Sequence, residues 1–180
     1  MQAAPEMHIN VREFFSDKCI LITGVTGLVG KVLLEKILRT IPRIGKIYLL
    51  IRDTPKYSIQ ERVMNMIFAS PLFVPLFKER PELHETIKAR VVPIKGDLVL
   101  DGLGIGPEIR KLLTDEVEII LNTASRYNLS ESIREAIQIN YFGALRILEL
   151  AHSCKNLIAL HHVSTAYVAS NTPNNSTCLE

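Results

Sequence analysis

The stretch from Ile22 to Lys31, ITGVTGLVGK, spaces Gly24, Gly27 and Gly30 three residues apart where one hydrophobic pattern gives way to another. Upstream, DKCILITG is a short isoleucine-rich run, the pattern of a strand buried on both faces. Downstream, Val29, Val32, Leu33, Leu34, Ile37, Leu38 and Ile41 recur at helical spacing, with Lys31, Glu35, Lys36 and Arg39 on the wet side. A strand that passes through a glycine turn into a helix aims the free amides of the helix's first turn at one point, where a phosphate is well held. In such a turn Gly24 permits a bend that a side chain blocks, and Gly27 lets the backbone approach a pyrophosphate. Gly30 lets the helix lie close to the strand. A glycine-rich turn without a ligand is the bland alternative. The chain has no Gly-Lys-Ser/Thr, so the turn is not a mononucleotide P-loop.

The alternation then repeats. KIYLLIR reads as a second buried strand, and Ser58 with Glu61 forms a capping box ahead of a helix through Val63, Met66 and Ile67. ARVVPIKGDL reads as a third strand that stops at Gly96, and Pro107 opens a short helix over GPEIRKLL. VEIILNTAS is a fourth strand. Ser130 is placed to cap a long helix carrying Ile133, Ile137, Tyr141, Leu145, Leu148 and Ala151, and LIALHHVSTAYV is a fifth strand. Between strands two and three, SPLFVPLFKERPEL repeats a Pro-Leu-Phe unit, read as a packed surface insertion in preference to a lip facing substrate. Strands alternating with helices imply parallel pairing and right-handed crossovers. The expected fold is α/β: a doubly wound parallel sheet (Rossmann fold) of five strands, order 3-2-1-4-5, truncated after strand five. Residues 1–16 form a lead-in, 17–170 the nucleotide-binding domain and 171–180 a polar tail.

Length and charge narrow the function. A chain of 180 residues supports one domain with a real core. A net charge of +2 gives no bulk attraction to nucleic acid. Cys19, Cys154 and Cys178 lack zinc or redox spacing and read as free thiols in a reducing compartment, and no metal site is expected. No apolar run approaches the roughly 18 residues of a membrane span, and the N-terminus lacks a signal-peptide core. The choice of dinucleotide turns on the end of strand two, LLIRDTPK. An acidic residue there binds both ribose hydroxyls and repels a 2′-phosphate. Arg52 holds that place, with Lys56 nearby, and its planar fork suits a phosphate. Asp53, one residue on, keeps NADH as the lesser alternative to NADPH.

With Thr23-Gly24-x-Thr26-Gly27-x-x-Gly30 in place, the chain resembles an extended short-chain dehydrogenase/reductase. GKVLLEKILR, IYLLIR, VVPIKGDL, INYFGALRILELA and HVSTAYV stand in the order seen in fatty acyl-CoA reductases, a resemblance running from about Val11 to Val168. It implies cofactor contacts from Thr23, Gly24, Thr26, Gly27, Leu28 and Gly30, and Asp97 and Leu98 bordering the adenine. It also implies Arg52 as the mark of NADPH and Ala124, within Asn122–Ser125, beneath the nicotinamide half. By the same resemblance Asn140 would be the helix asparagine that supports a proton relay, and Thr165 with Ser164 would supply the catalytic hydroxyl. The residues themselves leave Asn140 equally explained by a structural bond to a backbone carbonyl, and Ser164–Thr165 by a turn. The implied reaction takes long-chain acyl-CoA and two NADPH to a fatty alcohol, CoA and two NADP. Its implied address is the cytosolic face of peroxisomal or endoplasmic reticulum membranes, otherwise the cytoplasm.

Two positions depart from the family: strand four ends Asn122-Thr123-Ala124-Ser125 where His-x-Ala-Ala is usual, and Gly143-Ala144 replaces Gly-Thr. None of Tyr48, Tyr57, Tyr127, Tyr141 and Tyr167 is followed four residues later by lysine, the pairing that donates the proton in this superfamily. A chain of this kind is expected to hold the nucleotide and to be inactive alone. Other readings are a sugar-nucleotide epimerase, and a non-catalytic module that binds nucleotide or associates through the open edge of strand five.

Overall fold

The computed structural model describes residues 10–126 and 132–165. Ser130, Tyr127, Tyr167, Cys178 and the 171–180 tail lie outside them. Five strands, β1 (Ile20–Thr23), β2 (Ile47–Ile51), β3 (Val91–Lys95), β4 (Ile119–Asn122) and β5 (Ala159–His162), form one sheet. Every pairing is parallel and the order is β3-β2-β1-β4-β5, as the alternation predicts. The three central strands are buried along their whole length, which explains their unbroken runs of isoleucine and leucine.

Each face carries its own core. Ile20, Ile22, Leu49 and Ile119 pack beneath α2 (Leu28–Thr40) and the segment joining β2 to β3. Leu21, Tyr48 and Ile120 pack beneath α6 (Pro107–Glu116) and α8 (Ala144–Ser153), through Leu113, Ile147 and Leu150. The lead-in contributes α1 (Val11–Phe15), capped by Asn10, and its Phe14 and Phe15 rest on the first core.

The insertion between β2 and β3 is packed. It comprises α3 (Ile59–Arg62), a π-helical turn over Val63–Phe68, α4 (Val74–Glu79) and α5 (Leu83–Arg90). Phe73 and Leu76 of the Pro-Leu-Phe repeats are fully buried, Phe68 meets Phe73 edge to face, and Phe77 stacks on His84. The capping box forms as predicted, Ser58 and Glu61 bonding each other's backbone N–H.

The long helix differs from its sequence pattern. It is capped by Ser132, paired reciprocally with Glu135, and runs as α7 (Ile133–Ile137), a π-helical turn (Gln138–Gly143) and α8. Of the six apolar residues read as its face, Ile133, Ile137, Tyr141, Leu145 and Leu148 are exposed and only Ala151 is buried. The face on the sheet is Gly143, Ile147, Leu150 and Ala151. Ile133 and Ile137 before the π turn and Leu145 and Leu148 after it are exposed alike, so the apolar period follows the outer side of the helix.

Candidate nucleotide-binding cleft

The carboxyl ends of the strands open into a cleft of about 650 Å³, within the range of small-molecule sites. Its wall is the glycine turn, the ends of β2 and β3 through Arg52 and Leu98, the segment Thr123–Arg126 after β4, and Arg62 and Ile139 from neighbouring helices. Gly24 has φ +70°, and a Cβ there would lie 2.5 Å from the Ala124 nitrogen and 2.6 Å from the Thr123 carbonyl carbon. The turn and the post-β4 segment therefore touch backbone to backbone. A Cβ on Gly30 would lie 2.6 Å from the Gly24 oxygen, so α2 starts directly against the turn. Gly27 caps α2, and beyond one contact of 3.2 Å to the Gly24 oxygen a Cβ there meets nothing. Its open side faces the cleft, where the first-turn amides of α2 converge.

Thr26 and Leu28 form the rim, Leu28 largely exposed. Ala124 lies in the wall, as do Asp97, whose carboxylate accepts from the Val99 N–H at 3.1 Å, and the buried Leu98. Thr23 does not line the cleft. It is completely buried under the turn, donating to Asn122 Oδ1 and accepting from the Ala124 N–H. Asn140 also stands outside the wall: its Oδ1 accepts from the Arg126 N–H and its Nδ2 donates to the Arg126 carbonyl, both at 2.8 Å. The structural bond left open by the sequence is thus present, and it pins Arg126 in the wall. Ser164 and Thr165 follow β5 at the same edge of the sheet, exposed and outside the wall.

Among the described residues, the charges of the wall are three arginines, Arg52, Arg62 and Arg126, and one carboxylate, Asp97. Arg52 is exposed immediately beyond β2. Asp53 is turned away to an ion pair with Lys95 at 2.5 Å, which holds its carboxyl below the ordinary range. Lys56 lies over the Tyr57 ring and does not reach the wall. Arg62 was not among the sequence candidates. It is only 8% exposed, donates Nη1 to the Arg52 carbonyl, and places Nε 3.5 Å from the Met66 sulfur. Burial first, then the charge of Arg52, lowers its pKa from the usual guanidinium value, with the charge of Asp53 acting the other way, and no carboxylate among the described residues lies within ion-pair distance of it. One signal was available: the capping box fixes the start of α3 and so puts Arg62 within its first turns, ten residues after Arg52.

Residues 22–178 match the NAD-binding family described as Male sterility protein. The chain belongs to that family. The matched region takes in the glycine turn, the three cleft arginines and the Ser164–Thr165 pair. Among relatives of the Male sterility family domain, fatty acyl-CoA reductase 1 of Arabidopsis thaliana is 37% identical over 93% of this chain and 35% of its own length. Fatty acyl-CoA reductase 1 of Mus musculus is 36% identical over 91% of the chain and 31% of its own. The chain therefore spans about a third of the curated relatives it matches. A solved structure, the terminal R domain of the myxalamid PKS-NRPS pathway, superposes with a TM-score of 0.64 at 29% identity, over 85% of this chain and 36% of that one. Among the described residues no helix is long and apolar enough to cross a membrane, and no three His, Cys, Asp or Glu side chains are grouped to hold a metal ion.

Proposed function

We propose that this Male sterility family domain is the NADPH-holding part of an alcohol-forming fatty acyl-CoA reductase. The observation that carries the choice of NADPH is the pair Arg52 and Arg62. A guanidinium that is nearly buried and close to a second one, with Asp53 acting on it only from a distance while bonded to Lys95, suits an anion. The 2′-phosphate is the one group that NADPH has and NADH lacks, and Asp53, which could have held a free 2′-hydroxyl, is committed to Lys95. Gly27 suits the pyrophosphate, since a side chain there would enter the cleft beside the first-turn amides of α2, while Gly24 and Gly30 let the turn pack against its own backbone. Asn140 holds the main chain of Arg126 at the post-β4 end of the wall.

When bound, the cofactor supplies hydride to an acyl carbon. The chain's own residues bind and orient it: Ala124 and Thr123 form the floor, locked to the turn through Thr23. Ser164 and Thr165 supply hydroxyls at the carboxyl edge of the sheet, and such donors stabilise a carbonyl oxygen as it gains charge. The substrate class, a fatty acyl-CoA, is the one that the relatives' names print. A chimera tests this reading, with these residues replacing the corresponding segment of the mouse reductase. NADPH oxidation is followed with palmitoyl-CoA. Acyl-CoA-dependent oxidation of NADPH is expected; a folded chimera that binds NADPH and does not oxidise it contradicts the assignment.

A further inference from the structure

Thr23, Asn122 and His162 end β1, β4 and β5 and stand in register across the sheet, Thr23 beside Asn122 and Asn122 beside His162. Their side chains form a line. Thr23 Oγ1 lies 2.5 Å from Asn122 Oδ1, and Asn122 Nδ2 lies 2.9 Å from His162 Nδ1. Thr23 and Asn122 are buried, so each depends on these partners. Thr23 Oγ1 already accepts from the Ala124 N–H at 3.3 Å, and its one proton goes to Asn122 Oδ1. That orients the amide, oxygen toward Thr23 and NH2 toward His162. An NH2 group only donates, so His162 Nδ1 must offer a lone pair and the neutral ring must carry its proton on Nε2. A reversed amide aims two donors at Thr23 and leaves its proton buried without an acceptor.

The main chain of Asn122 works in the same direction. Its carbonyl accepts from the Val163 N–H at 2.9 Å, one residue before Ser164 and two before Thr165. We infer that Asn122 is a positioning residue: oriented by Thr23, it holds His162 as the neutral Nε2–H tautomer and ties the exit of β5, with Ser164 and Thr165, to the glycine turn. The inference needs no nucleotide and stands apart from the reductase reading.

The test is long-range proton–nitrogen NMR of the full chain at about pH 8, above the ordinary imidazole range, with His162→Gln to assign the ring. The expected spectrum has His162 Nδ1 bare and Nε2 protonated, favoured about tenfold over the other tautomer, as a bias of about 1.4 kcal/mol gives. Asn122→Asp keeps the shape and removes the donor, and His162 Nδ1 is then expected to become protonated. The backbone amide resonances of Ser164, Thr165 and Gly24 should move with it. Thr23→Val removes the orienting hydroxyl, and both tautomers should appear. A role for Asn122 in packing alone lowers stability without changing the tautomer. Nδ1 protonated in the unmodified chain, or an unchanged tautomer in folded Asn122→Asp, overturns the inference. So do unmoved resonances at Ser164 and Thr165.

Discussion

Arg62 sets the scale at which this site works. A guanidinium 8% exposed keeps its charge at a desolvation cost that one carbonyl and one thioether only partly offset. The glycines divide by a related test of what a Cβ would meet. Gly24→Ala forces a side chain at φ +70° against the Ala124 backbone, and is expected to destabilise the fold by several kcal/mol, roughly the cost of an αL strain plus a backbone clash. Urea denaturation followed by circular dichroism reads it. Gly27→Val instead adds bulk on the cleft side, so the fold should persist while nucleotide affinity falls beyond detection. Retained affinity in that variant would make the turn purely structural. At this scale the glycine turn and Arg52 were legible in the sequence because strand, turn and helix are contiguous. Arg62 was not, since its burial depends on how α3 folds back over the end of β2.

Among the elements, the helix from Ile133 to Ser153 shows where periodicity misleads. Its π turn sits where Asn140 reaches Arg126 and where Gly143 lets the helix meet Leu98, a Cβ there lying 3.0 Å from the Leu98 Cβ. Placement of the helix therefore answers to the cleft as well as to the core. The observed burial makes a contrast: Ile147→Ala should cost about 2–5 kcal/mol and Ile137→Ala about 0.5 kcal/mol or less, measured by chemical denaturation. Equal losses would mean that the exposed face is packed after all. A second tie joins α6 to β2. Lys46 donates to Glu116, and the buried Tyr48 hydroxyl donates to the same carboxylate at 2.6 Å. Both hold the Glu116 carboxyl below its ordinary value, Lys46 foremost, while burial and Glu116 push the Tyr48 phenol up. A carboxyl lowered in the folded state adds stability above its unfolded pKa, near 4.3, that is lost as pH falls through the folded value. Acid unfolding of Glu116→Gln should accordingly show a shallower loss of stability across that window than the unmodified chain. Identical profiles would remove the carboxylate from the balance.

For the whole molecule, the alternation of strands and helices was enough to order the sheet, because right-handed crossovers leave few topologies. That order brings the ends of β1, β2, β3 and β4 to one edge, and the cleft follows from it. Contacts that depend on register stayed hidden. Thr23 and Asn122 are 99 residues apart in the chain, and only the pairing of β1 with β4 reveals that they share a proton. Likewise, Ser164 and Thr165 are recognisable as a strand-end pair, but what fixes them is Asn122 on the neighbouring strand. As proposed above, this cleft distinguishes NADPH from NADH through Arg52 and Arg62. Fluorescence titration of both cofactors against the unmodified chain, Arg52→Ala and Arg62→Ala measures it directly. A charge-assisted contact of about 1.5–3 kcal/mol corresponds to NADPH binding roughly ten- to a hundredfold more tightly. Each substitution should erase most of that margin and leave NADH affinity near its starting value. Equal affinity of the unmodified chain for the two cofactors would contradict the claim.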